Sequence, residues 1–237
     1  MNDDLKDTLL ALLESHTPSN PALNTLLSDY TNYHLVLVVP GAGMVLVLLA
    51  LSGFFLYRFR RTPRYESHAW TFEKKTFFSF WVVCTLASLM MALIVAANVS
   101  NVLDARHGLS LLAESLSTPS AGSNRATLLQ AFDTWLRSED TDIPPTVQRA
   151  LNNRLSWQQP KAIVCSLLLV CFTLLNTWIW RSLLKRSRAN DGTWIAKDMA
   201  LLTSGIGTVA TAMLMMVMAL ANLQAVWAPI TLTLQFS

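Results

Sequence analysis

Four long runs of the chain contain no Asp, Glu, Lys, Arg or His: Leu35 to Tyr57, Thr76 to Val102, Ala162 to Trp180, and Met199 to Ser237. A helix needs about 20 apolar residues to cross a hydrocarbon core, and all four runs suffice, the third being the shortest. Outside them the pattern changes from continuous to periodic. In "DDLKDTLLALLES" the residues Leu5, Leu9, Leu12 and Leu13 fall on one helical face, and Leu128, Leu129, Phe132, Trp135 and Leu136 do the same further on. Pro21 in "NPALNTLLSDY" and the prolines of "IPPTVQRALNNRL" each suit the first turn of another helix. Turn-forming residues crowd "STPSAGSN" between Ser117 and Asn124, which reads as a linker. Pro229 should end the fourth helix, and "ITLTLQF" beyond it alternates like a strand, as a docking segment or a short interfacial tail.

These elements predict an all-α, polytopic membrane protein with four transmembrane helices. Residues 1–34 form an extracytoplasmic helical segment, and residues 35–102 a first transmembrane hairpin closed by loop 58–75. Residues 103–161 form a second extracytoplasmic segment, and residues 162–237 a second hairpin closed by loop 181–198. The outer helices are expected to pair into a small cap, with a position flat on the membrane surface as the alternative. Composition agrees: 52% of residues are apolar and only 14% charged, against about 25% charged in soluble domains. Too little chain remains to cover four such helices in a soluble core. The acidic, polar first 34 residues lack a basic start and an early apolar run, so no cleavable signal is expected. The three cysteines, Cys84, Cys165 and Cys171, lie within the spans and read as packing residues.

Charge sets the orientation. "RFRRTPRYESHAWTFEKK" and "RSLLKRSRANDGTWIAKD" concentrate Lys and Arg in two short loops, whereas the N-terminal segment has Lys6 alone against five acids. Short basic loops stay cytoplasmic, so both chain ends and the central segment are expected outside, in a multi-pass protein of the cell membrane. Aromatic anchors fit that placement, with Tyr30, Tyr33, Trp157 and Trp227 outside and Tyr57, Trp70, Trp178, Trp180 and Trp194 inside. The basic loops meet lipid headgroups and give no cause to invoke nucleic acid.

A duplication is also visible. "MMALIVAANVSNV" from Met90 and "LMMVMALANLQAV" from Leu214 align at an offset of 124, as do Pro21 with Pro145, Arg64 with Arg188, and Trp70 with Trp194. Two parallel two-helix repeats about a pseudo-two-fold axis along the membrane normal would explain this.

The spans carry no ionisable side chain, which argues against a self-sufficient pump or proton-coupled carrier. Asn98 and Asn222 form a matched polar pair that could line an outer vestibule, bond across the halves, or cap separate helix ends. Asp104, Arg106 and His107 cluster beyond the second span; an acid–base pair is one reading, and a helix end with a local ion pair is the other. His16, His34 and His68 are isolated, His34 and His68 at the interfaces and His16 on the solvent side. "PGAG" at Pro40 to Gly43 suits a kink. Ala92 and Ala96, with Ser204, Gly207, Thr208, Thr211 and Ala212, are spaced for close helix packing. No catalytic, cofactor or metal motif appears. The chain therefore reads as a non-enzymatic membrane subunit, most consistent with a transport or export complex. Its expected partners are the lipid bilayer and other membrane subunits, with a cytoplasmic ATPase among the options and oligomerisation plausible. A homo-oligomeric pore or channel and a membrane scaffold or signalling partner are the alternatives.

Overall fold

A computed structural model describes residues 3–15, 20–62, 70–116, 119–120, 122–189 and 196–236, and every element among them is helical. In chain order these are α1 (Asp3–Glu14), α2 (Pro21–Arg61), α3 (Phe72–Leu103), α4 (Ala105–Ser115), α5 (Asn124–Ser138), α6 (Pro145–Ala189), α7 (Ala196–Trp227) and α8 (Pro229–Phe236). His16, His68, Trp194 and part of the 117–124 linker lie outside the described residues. Helices α2, α3, α6 and α7 are long and apolar enough to cross a membrane. The helices that begin at Pro21 and Pro145 do not stop before the spans; they run on into them. At 41 residues, α2 reaches about 60 Å, twice a hydrocarbon core of about 30 Å. Pro40 and Pro160 sit inside α2 and α6 without ending them. Each proline removes one main-chain bond but keeps a helical φ.

The contacts divide the chain into two compact units. The first comprises Met1–Val39, Val95–Lys161 and Ala221–Ser237. Its apolar side chains close into a buried core. Leu5, Leu9 and Leu13 of α1 meet Leu129, Phe132 and Leu136 of α5, with Leu109 of α4 and Leu234 of α8 completing the cluster. The apolar faces visible in the sequence therefore close on one another. Asn20 ties two of these helices together from a buried position: its Oδ1 accepts from Leu23 N at 2.9 Å, capping α2, while its Nδ2 donates to Leu136 O at 2.8 Å near the end of α5. Tyr30, expected as an interfacial anchor, is instead a core residue, since α2 turns it inward.

The tail departs from its strand-like pattern. Residues 229–236 form α8, with Ile230 and Leu234, four positions apart, both in the core. Ala228 has no side chain with which to cap this helix. Asp29 of α2 does so from 202 residues away, its Oδ2 accepting from Thr231 N at 2.6 Å and Thr231 Oγ1 at 2.7 Å. Packing at helical spacing, a proline in the first turn and a carboxylate at the N-terminus together outweigh a short alternating run.

The second unit, Pro40–Ile94 and Ala162–Leu220, is built the other way round. Leu46, Leu93 and Leu174 are 68%, 71% and 67% exposed, a surface suited to hydrocarbon. Some of its polar side chains join neighbouring helices. Ser52 Oγ lies 2.7 Å from Thr85 Oγ1, joining α2 to α3, and Thr208 Oγ1 donates to Asn176 Oδ1 at 3.3 Å, joining α7 to α6. Ion pairs brace both hairpins near their loops: Arg58 with Glu73 at 3.8 Å, and Arg186 with Asp198 at 2.6 Å. Gly205 lets α7 approach α6, because a Cβ there would lie 3.1 Å from Trp180 Cε2 and 3.2 Å from Ile179 Cγ2.

Helix starts recur at one spacing. Those of α2, α3 and α4 at positions 21, 72 and 105 return as those of α6, α7 and α8 at 145, 196 and 229, each 124 residues later.

Two expected outcomes follow from the first unit. Asp29→Asn keeps an acceptor while removing a buried charge, so its thermal midpoint in mild detergent should stay near that of the parent. Asp29→Ala leaves the Thr231 donors unpaired and should cost about 1–3 kcal/mol; equal losses from both variants would show that the acceptor is not what matters. Gly108→Ala would set a Cβ 2.5 Å from Tyr30 Oη and 2.9 Å from Asn101 Oδ1, an overpacking that should cost about 1–3 kcal/mol. Adding Tyr30→Phe should restore part of the loss, and no recovery would place the strain elsewhere.

Candidate functional site

The densest set of buried polar groups lies in the first unit, where α2 meets α3, α7 and α8. Four residues of α2, Asp29, Tyr30, Tyr33 and His34, occur as two pairs four positions apart and so share one side of the helix. Asn98 of α3 faces this side: its Oδ1 is 2.6 Å from His34 Nδ1. Since a carbonyl oxygen only accepts, the imidazole donates from Nδ1 in this arrangement. His34 is 8% exposed and packed against Tyr30 and, edge-on, Tyr33, with ring centroids 4.6 and 5.0 Å away. From α7, Gln224 Nε2 donates to the Tyr33 carbonyl at 3.0 Å. From α8, Thr231 binds Asp29 through both its amide and its hydroxyl. Every one of these links has α2 at one end.

Asp29 precedes the uncharged span that begins at Leu35. Burial raises its carboxyl above the ordinary carboxylate range, and the bonds from Thr231 and the Ile230 amide act in the opposite direction. This is the balance expected of a carboxyl that holds a helix in place.

The residues singled out from sequence fall in separate roles. Asn98 is half-buried and bonded to His34 of the same half; Asn222 is buried at 7% exposure. Position 158, 124 residues beyond His34, holds Gln158, whose Oε1 is shielded from solvent without a hydrogen-bond partner among the described residues. Asp104 is the N-cap of α4, accepting from His107 N at 3.1 Å, and Arg106 Nη1 makes a long contact of 3.4 Å to Leu13 O. The cluster thus opens a new helix that the sequence pattern did not announce, and the expected local ion pair is not among the ion pairs of the described residues. The His107 side chain is exposed.

Of the small residues on α7, Thr208 packs inward while Ser204 and Gly207 face outward; a Cβ on Gly207 would meet nothing within 4 Å. Ala96 is exposed and Ala92, Thr211 and Ala212 are half-buried. Gly205, which carries the closest approach, escaped the four-residue spacing. It stands three positions before Thr208, the other spacing that shares a helix face.

Chemically, the polar cluster offers one imidazole, one carboxyl, two phenols, a threonine hydroxyl and the amides of Asn98 and Gln224. Among the described residues, no group of three or more His, Cys, Asp or Glu could hold a metal ion. What the arrangement does is hold α3, α7 and α8 to α2. A double-mutant cycle tests its central bond: His34→Leu and Asn98→Leu should each destabilise, and the double variant should lose about 1 kcal/mol less than their sum. Strict additivity in detergent unfolding would remove the bond from the account. No family model, no curated protein and no solved structure matches the chain.

Proposed function

We propose that this chain is a non-enzymatic, multi-pass subunit of the cell membrane, working within a transport or export complex. The observation that carries the reading is the outward face of α7, where Ser204 and Gly207 are exposed in a helix apolar enough to span a bilayer. Small residues turned away from the chain's own helices let another helix approach, and dispersion contact is the main attraction between helices in lipid. Uncharged spans favour a subunit whose energy source lies in a partner, with an ATPase at the basic loops as the form of partner proposed. Co-purification in mild detergent tests this: a stoichiometric second protein is expected, lost when Gly207 becomes Leu. A uniform homo-oligomer would instead favour a pore.

The same reading places the first unit outside the cell and the two basic loops inside. With the three native cysteines replaced, single cysteines at Ser67 and Asn190 should resist an impermeant thiol reagent in intact cells. A cysteine at Ser120, an exposed position, should react. Labelling at 67 and 190 from outside would reverse the orientation.

We also take the two halves as duplicated units. Support comes from the helix starts that share an offset of 124, and from one polar clip per hairpin involving Ser52 and its counterpart Asn176. An experimental structure whose halves failed to superpose in the same helix order would end this reading.

A further inference from the structure

The second unit contains a cleft between its two hairpins. One part, about 300 Å³, is lined by all four long helices, and a second part, about 440 Å³, lies beside it toward the loops. Leu51, Phe55, Phe80, Asn176 and Thr177 line both, so the two adjoin. Volumes of this order hold small molecules, not another helix. Along α6 the lining runs from Leu169 to Leu184, roughly 22 Å at 1.5 Å per residue. That exceeds half of a hydrocarbon core of about 30 Å, the depth of a single leaflet.

The lining changes character along this length. Inside it is aliphatic and aromatic, relieved by Thr173, Asn176 and Thr177. Asn176 spends its Oδ1 on Thr208, and its Nδ2 makes no hydrogen bond among the described residues. At the end toward the loops the lining gains Arg58 and Arg181. Each is the first charged residue after an uncharged span, one on α2 and one on α6, so both fall at the depth of headgroups. Arg58 stands over the Phe77 ring at 5.3 Å and is partly balanced by Glu73 at 3.8 Å. Arg181 is exposed and enters no ion pair among the described residues. Two guanidiniums against one carboxylate leave the mouth positive. Arginine's planar fork suits phosphate oxygens and is less strongly hydrated than an ammonium.

We propose that the cleft binds one anionic phospholipid from the leaflet on the side of the two basic loops. Its phosphate lies between Arg58 and Arg181, its glycerol backbone near Asn176 and Thr177, and one acyl chain along Leu51, Phe55 and Phe80. A free phosphate would leave the apolar length unfilled, and a zwitterionic lipid would bring its own cation to a cationic mouth. The inference rests on the bilayer placement of the four helices and is independent of any role in transport.

The test uses the full chain in mild detergent, titrated with phosphatidylglycerol or phosphatidylcholine and read by native mass spectrometry of bound lipid and by thermal midpoint. One phosphatidylglycerol should bind in preference to phosphatidylcholine, with a rise in midpoint. Arg181→Gln should weaken this about fivefold, the scale of one basic residue at a headgroup, whereas Arg60→Gln, outside the cleft lining, should not. Leu51→Trp, which fills the apolar path and spares both arginines, should expel the lipid as well; its own midpoint without lipid shows that it is folded. Equal retention of the two lipids, an Arg181→Gln variant no weaker than Arg60→Gln, or equal protection by soluble glycerol phosphate would each overturn the assignment. Failure to find a partner complex would leave this result unaffected, so the two proposals fall separately.

Discussion

Everything in this structure depends on helices that satisfy their own backbones across two different surroundings. A polypeptide in hydrocarbon has no water to bond to, so its amides and carbonyls must pair within the helix. α2 and α6 extend that solution beyond the spans, carrying the same unbroken hydrogen-bond ladder, Pro40 and Pro160 apart, into the first unit. With the backbone provided for, side chains alone separate the two units. In the first, Leu9, Phe132 and Leu136 are fully buried. In the second, large aliphatic residues face outward, and Ser52 meets Thr85 between two helices. One helix can belong to both because its apolar stripe is narrow at one end and continuous at the other.

Polar groups divide along the same line. In the first unit several serve as caps, Asn20 for α2, Asp104 for α4, Ser123 for α5 and, across the chain, Asp29 for α8, while His34 and Asn98 join two long helices. Caps are needed there because each helix end has orphan donors and little water when packed in a core. In the second unit the polar contacts are side chain to side chain, between adjacent long helices. Such bonds are worth on the order of 1 kcal/mol apiece in a membrane, so they fix register more than they supply stability.

Much of the fold was legible in the sequence because both of its signals are compositional. Uncharged runs gave the four long helices, and the stripes through Leu5 and Phe132 gave the part of the first unit's core that α1 and α5 supply. What escaped depended on distance in three dimensions. Nothing in "ITLTLQF" names Asp29, and without that carboxylate and the pocket for Leu234 the segment alternates like a strand. α4 was hidden because Asp104, Arg106 and His107 look like a reactive cluster when read as charges, and like a cap only when the next helix is known. The polar belt was half visible: Asn98 stood out, but its neighbour His34 is 64 residues away. Gly205 was missed because the four-residue spacing on α7 drew the eye to Ser204 and Thr208.

The bond between Asp29 and Thr231 also sets an order of events. Translation runs in one direction, and α2 is complete long before α8 exists. For those 202 positions the first half of the protein carries an unanswered carboxylate and a groove without Leu234 and Ile230. Three further long helices, α3, α6 and α7, are made before the residues that complete this core. Closing so long a loop costs little extra entropy per added residue. α8, which supplies Leu234 and Ile230, follows every long helix in the chain, so this core is completed last.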